Sequence, residues 1–514
     1  MLAALSQPHV RINRWAGIGL ALVLLLSLLS ACTRELPEAQ EIRVAMAQKV
    51  ITLDPRYSTD AASHRVQELV HRGLIRLDEH FEPQADAAES WEQVNALTWR
   101  FQLREGLKFH DGSLVRASDV VATLQSILDP ASISPLRAGF AAIERLEVEG
   151  ARGVVIHLSR PDASLLTRLS MGILPARLAA KGNQARTIIG CGPFLLSRWD
   201  ERGLQLKRVA KAATGKIASL RFVTVKDPVT RCLKLGRGEV DFTENDLPPH
   251  LLGYLRDQQQ LSIATRPSTT FSYIGMNIKD QRLKDVRVRR ALALAVDRSR
   301  LKKALYADLP VLGETVLTPG HWASSNIPAT SFNPKRAAAL LDEAGFKPEA
   351  NGVRFTLNYR TSTDPARLRM ATAIADMWGK VGVQVKVESL EWGGFYARIK
   401  RGDFQVFSLA WVGIVDPDIY RWILHSSMWP PKGANRGRYS SADVDRWLDT
   451  AAESQSRDEQ KRLYARVQQR MAEDQVYIPL WYEPVIAVSG PRLSGFNPAP
   501  DGSLLGLLDA RIGQ

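Results

Sequence analysis

The sequence has no GxSxG elbow, no HExxH, no phosphate-cradling GxxxxGK[ST] loop and no CxxC pair. Those absences remove common signatures of serine hydrolases, zinc peptidases, nucleotide hydrolases and structural zinc sites. No catalytic activity, cofactor or metal is therefore expected. His64 and His71 lie seven residues apart, about two helical turns or roughly 10 Å of rise, too far to share an ion without other ligands. Cysteine is scarce as well. Of three in the chain, Cys191 and Cys232 stand outside the amino-terminal segment. In an oxidising compartment these two either pair or stay as buried thiols, and their spacing leaves both alternatives open.

Long hydrophobic runs are absent except for one. Arg11 and Arg14 precede an uncharged stretch from Trp15 to Ala31, rich in Leu, Val and Gly. That layout is a secretory signal peptide, and it is shorter than the roughly 18 to 20 apolar residues that span a hydrocarbon core. Leu29-Ser30-Ala31-Cys32 closes it with small residues before a cysteine and resembles the lipobox of bacterial lipoproteins, which implies acylation at Cys32 after cleavage. Thr33, where an aspartate would favour inner-membrane retention, implies sorting to the outer membrane.

Acidic residues are outnumbered, 54 to 68, giving a formal charge of +14. Loss of residues 1–31 removes two arginines and no acid, lowering it to +12. The cations are scattered along many amphipathic segments, which reads as solvated surface, and export argues against a nucleic-acid partner.

Strand-like runs recur from Glu41, Leu97, Gly153 and Leu220, with helical patterns from Ala62 and from Arg116 between them, the second with Ser118 as its expected N-cap. No repeat of 20 to 50 residues is present. The stretch 353–411 is the most regular: strand, helix, strand, helix, strand. Crossovers of that length fit parallel strands covered by helices, whose ligands sit beyond the strands' carboxyl ends. That rule points to Arg360, Trp392 and the segment beginning at Trp411. A charged helical region from Ala442 to Glu473 precedes the strand-like YIPLWYEPVIAVSG.

Several segments, in order, resemble the family-5 solute-binding proteins of ABC importers, the group containing dipeptide- and oligopeptide-binding proteins. They are ITLDP (51–55), LTWRFQLREGLKFHDGSLVRASDVV (97–121), CGPFLLSRW (191–199), GEVDF (238–242), YIGMN (273–277) and DVRVRRALALAVDR (285–298). FNPKRAAALLDEAGF (332–346), ANRGRYSSADVDRWL (434–448) and YIPLW (477–481) complete the series. In DVRVRRALALAVDR, Val288, Ala291, Leu292, Ala295 and Val296 share one helical stripe, which reads as core, and the arginines as a solvated face with interlobe ion pairs.

The resemblance implies an α/β, two-lobed periplasmic-binding-protein-like fold with an extra subdomain in the first lobe. The expected division is a signal peptide at 1–31, a first lobe at 32–265 with an inserted subdomain at about 60–185, a second lobe at 266–480, and a return to the first lobe at 481–514. It implies a monomer, lipid-anchored outside the cytoplasm, that captures a peptide between its lobes and hands it to an ABC permease and ATPase complex. A non-peptide solute, such as a metal chelate, haem, opine or glycan, is the alternative. Trp392 and Trp411 match cleft tryptophans of the peptide-binding relatives, Tyr273 lies near the presumed first crossing at Arg266-Pro267, and Arg360 is near where dipeptide-binding relatives present an arginine to the ligand carboxylate. Those relatives also place an aspartate three residues after the cleft tryptophan to hold the ligand's amine. Here WVGIVDPD puts Ile414 there, and Asp416 either replaces the carboxylate or serves a local cap.

Overall fold

The structure is a computed structural model that describes residues 40–183, 188–201, 203–210, 213–245, 247–248, 251–258 and 260–513. Cys32, Thr33 and the signal segment lie outside the described residues. No helix among those described is long and apolar enough to cross a membrane.

One mixed sheet runs through the molecule. Two long strands, Ser262–Met276 and Tyr477–Ser489, pair antiparallel along most of their length and belong to both halves of it. On one side they join Phe242–Glu244, Glu41–Met46 and Ser219–Thr224, the last two aligned parallel. On the other they join Val406–Trp411, Phe355–Ser362 and Val383–Leu390. The last three are the strands of the β-α-β-α-β stretch. They are mutually parallel, with helices Pro365–Gly379 and Trp392–Arg401 as crossovers, and their carboxyl ends stop at Trp411, Ser362 and Leu390. The period of two seen in the sequence is realised as alternation: Tyr359 packs on Trp378 on one face, whereas Phe407, Leu409 and Trp411 join a core on the other.

The sheet's two halves thus make two lobes, each with apolar clusters on both faces. A separate antiparallel sheet of Ala88–Asn95, Thr98–Leu103, Gly153–Leu158 and Ile143–Glu149 extends the first lobe and packs on helix Ala117–Leu128. That helix begins one residue earlier than its expected cap. Arg116 is the N-cap instead of Ser118, and Asp119, three residues on, accepts from the Arg116 N–H at 2.8 Å.

Several motifs prove to be packing devices. In ITLDPR the Asp54–Arg56 pair is fully buried, and the Arg56 guanidinium also donates to the Ala179 carbonyl at 2.8 Å and to Ser126 Oγ at 3.1 Å, tying the subdomain down. Val288, Ala291, Leu292, Ala295 and Val296 are buried, as their stripe requires. The arginines beside them differ from expectation. Arg289 is buried and donates to the carbonyls of Leu283 and Gln475, and Arg298 is buried against Glu314 and the Pro479 carbonyl. A guanidinium's five donors satisfy several backbone carbonyls at once, which a solvated reading of the motif overlooks.

Cys191 and Cys232 are free thiols in different clusters, Cys191 in the subdomain core and Cys232 on the buried side of helix Pro228–Gly236. Burial pushes the Cys191 thiol up to about 12. Both are expected to resist an aromatic disulfide reagent in the native protein and to react together once concentrated guanidinium unfolds it. Reaction of Cys191 in the folded chain at neutral pH would contradict this placement.

Candidate functional site

The strand Val406–Trp411 ends where the two long strands pass from one lobe to the other. Trp411 sits over Tyr273 with ring centroids 5.7 Å apart and planes 7° from parallel, and Tyr273 stacks in turn on Tyr477 at 4.3 Å. The pairing of Phe271 with Trp411 and of Tyr273 with Leu409 fixes this column from the backbone. Tyr273 is fully buried, so it supports Trp411 rather than facing solvent, and burial pushes its hydroxyl up to about 12. Trp411 itself is 8% exposed.

Arg436 locks the column. Its guanidinium lies over the Trp411 ring at 4.4 Å and donates to Tyr273 Oη at 3.0 Å and Tyr396 Oη at 3.2 Å. Trp392, the first residue of its helix, stacks on Tyr396 at 5.6 Å with planes 8° apart and remains 52% exposed. A buried cation between π faces contributes about 2 kcal/mol or more. Trp411, Tyr273 and Trp392 are therefore linked through two residues, Arg436 and Tyr396, that sequence reasoning missed. Arg436 lay inside a recognised motif, ANRGRYSS, but one arginine among basic residues carries no signal of burial.

Arg360 is not brought to this group. Strand alternation turns it towards Asp403 at 2.9 Å and Glu388 at 3.2 Å, and Asp403 also meets Arg398 at 3.3 Å. Arg360 holds the Asp403 carboxyl below its ordinary range. A guanidinium shared between two carboxylates is already partnered for charge.

Ile414 is buried, and its N–H donates to the Thr269 carbonyl at 3.1 Å. Asp416 accepts from the Asp418 N–H at 2.8 Å and faces Ser164, Thr167 and Arg168 of the first lobe's subdomain. Burial raises the Asp416 carboxyl. It also raises that of Asp418, to about 7, with the neighbouring Asp416 charge as the next cause. Asp416 thus stands in an interlobe contact. Beside it His321 stacks on Phe81 at 5.2 Å and reaches the Val415 carbonyl at 3.3 Å, and burial lowers its imidazole to about 4. Among the described residues no group of histidine, cysteine or carboxylate side chains is arranged to hold a metal ion.

The arrangement offers one exposed indole beside a rigid aromatic and cationic wall, at the junction of two lobes. Val412, next to Trp411, is 74% exposed. Such a wall suits a small solute with apolar and planar parts.

A family model described as bacterial extracellular solute-binding proteins, family 5, matches residues 82–429, about two thirds of the chain. The glutathione-binding protein GsiB of Escherichia coli K12 is 27% identical over 485 residues, covering 90% of this chain and 93% of its own. The oligopeptide-binding protein AppA of Bacillus subtilis is 25% identical over 477 residues, 87% of each. The solved structure of NikZ from Campylobacter jejuni, in complex with Ni(L-His), superposes with a TM-score of 0.73 at 25% identity, covering 93% of this chain and all of that one.

Replacing Arg436 by alanine strands the Tyr273 and Tyr396 hydroxyls and removes the cation above Trp411, and should cost about 3 kcal/mol of stability. Equilibrium urea unfolding reads this as a lower midpoint with unchanged slope. Arg436→Lys should recover only part, because an ammonium lacks the planar fork. An unchanged midpoint in both variants would show that the stack stands without the cation.

Proposed function

Because the chain belongs to the bacterial extracellular solute-binding proteins of family 5, the receptors of ABC importers, we propose that it captures a peptide between its lobes and presents it to a membrane permease. The observation that carries this is the exposed Trp392 set beside the clamped Trp411–Arg436–Tyr273 column, where the strands cross between lobes. A ligand can favour a closed arrangement only by contacts it makes with both lobes. A junction lined by aromatics on one lobe and by polar groups on the other provides for that.

In this reading Trp392 and Trp411 flank the solute, with Tyr273 holding Trp411 in place. Asp416 joins the lobes, and Arg360 orders the second lobe's sheet. We place the division between lobes at Arg266-Pro267 and at the matching stretch of the returning strand. Cys32 carries the acyl anchor, which at ~0.8 kcal/mol per buried CH₂ and more than one chain holds a soluble receptor at a membrane surface. A likeness in sequence to glutathione- and oligopeptide-binding proteins supports a peptide ligand, and the NikZ complex keeps a metal chelate as the second reading.

Thermal-shift screening of the chain without residues 1–32 tests the class of solute. Short peptides or glutathione are expected to raise the melting temperature by several degrees, and Trp392→Ala to weaken the best of them about tenfold, or about 1.4 kcal/mol. A shift with nickel–histidine, haem, opines or glycans and none with peptides would move the assignment to the second reading. For the anchor, radiolabelled palmitate should enter the wild-type chain and not Cys32→Ser, with the variant recovered free of membranes.

A further inference from the structure

Glu244 ends the strand Phe242–Glu244. Phe242 packs with Val66 and Leu69 of helix Ala61–Val70, while Thr243 turns away and donates to the Ala45 carbonyl, so alternation sends Glu244 to the helix side. There it is 6% exposed, and neither carboxyl oxygen has a hydrogen-bond donor among the described residues. Leaving such a group unmatched costs several kcal/mol, and native interiors seldom do so without a ligand, ion or water to complete it.

The surroundings are acidic. Arg65 and Glu68 face Glu244 from the helix and Asp501 from the carboxyl-terminal segment. Glu68 is engaged by Ser503 Oγ at 2.6 Å and His64 at 3.3 Å, and the Arg65 guanidinium lies against Gly502, where a Cβ would come within 3.0 Å of it. Three carboxylates thus share one arginine and one histidine.

The cluster adjoins the passage between lobes. The Pro500 carbonyl, next to Asp501, accepts from the Thr269 N–H at 2.9 Å, and the Thr269 carbonyl accepts from the Ile414 N–H at 3.1 Å. Thr269 lies where the crossing strand breaks register between Pro267 and Phe271. The acid cluster of the first lobe therefore stands across Thr269 from the position that lacks a carboxylate in the second.

We propose that Glu244, backed by Glu68 and Asp501, is a subsite for the ligand's primary ammonium group, moved to the first lobe where Ile414 leaves the second without a carboxylate. This rests on the peptide-receptor reading. An ammonium supplies three donors and a charge to oxygens that have neither. Burial pushes the Glu244 carboxyl up to about 8, so at pH 7 it holds a proton that ammonium binding expels. Each binding event then releases up to one proton to the buffer.

The test is calorimetry at pH 7 on the wild-type chain and on Glu244→Gln, using glutathione, trialanine, N-acetyl-trialanine and an N-acetylated lysine peptide. Glu244→Gln is expected to weaken the free-amine ligands at least tenfold and to leave N-acetyl-trialanine within twofold. The lysine peptide shows whether a side-chain amine serves as well as a terminus. Heats in buffers of different ionisation enthalpy should report proton release in the wild type and none in the variant. Asp501→Asn, on the surface, should weaken the same ligands about threefold.

Folding is controlled by melting. The wild-type carboxyl, about 8 folded against 4.5 ordinarily, loses stability as pH rises through that window, so Glu244→Gln should melt above wild type most clearly beyond pH 8. Free-amine binding within twofold of wild type, or an equal loss for acetylated and free peptides, overturns the subsite while leaving the receptor reading intact. Absence of binding by any amine-bearing peptide to the wild type overturns both.

Discussion

The structure depends on one pairing: the strands Ser262–Met276 and Tyr477–Ser489, which run antiparallel through both lobes and carry the sheet from one into the other. At their middle Pro267 faces Pro484, and two residues that cannot donate to the ladder sit opposite each other. Register then shifts by the time Phe271 meets Tyr482. The slack releases Ser268 to Thr270 from the ladder, and this segment binds Pro500 on one side and Ile414 on the other. The ladder between the two long strands is thus interrupted at the stretch where their sheet partners change from one half of the sheet to the other.

The same pairing places the chemistry. Phe271 and Tyr273 project from the crossing strand on the face that receives Trp411, so the aromatic column is a direct result of register. A slip of one residue would send Tyr273 to the opposite face and leave Arg436 with no hydroxyl to hold. On the first lobe the returning strand sets Ala487 beside Glu244, which fixes that carboxyl towards helix Ala61–Val70. One strand pair therefore sets both the strand that ends in Glu244 and the strand that ends in Trp411.

Much of this was legible in the sequence. The alternating strands and helices of 353–411 announced a parallel unit because each element is long, strongly periodic and joined by a short loop. The apolar stripe at 288–296 read as core for the same reason. What escaped were side chains whose residue type contradicts their setting. Arg289, Arg298 and Arg436 are buried, each engaging several carbonyls or ring faces that come from distant parts of the chain, and no local pattern reveals partners brought by topology. Arg360 illustrates the opposite case: its place near a strand's carboxyl end suggested a ligand contact, but alternation turns it to ion pairs with the exposed carboxylates of Asp403 and Glu388.

Glu244 is the sharpest instance. At the end of GEVDFTE an acid reads as the polar boundary of a strand, since most glutamates near turns are solvated. The fold instead presses it beneath a helix, among acids, with no donor among the described residues. A buried pair is held by its partner, whereas a buried single carboxyl is held only by the packing around it and stays neutral until a cation arrives. The distinction separates Asp54, matched by the Arg56 that ties the subdomain down, from Glu244, whose oxygens have no donor among the described residues. Where Asp54 is answered by a buried guanidinium and Asp119 by two backbone N–H groups, the Glu244 oxygens meet no donor among the described residues, and an entering ammonium supplies both donors and charge.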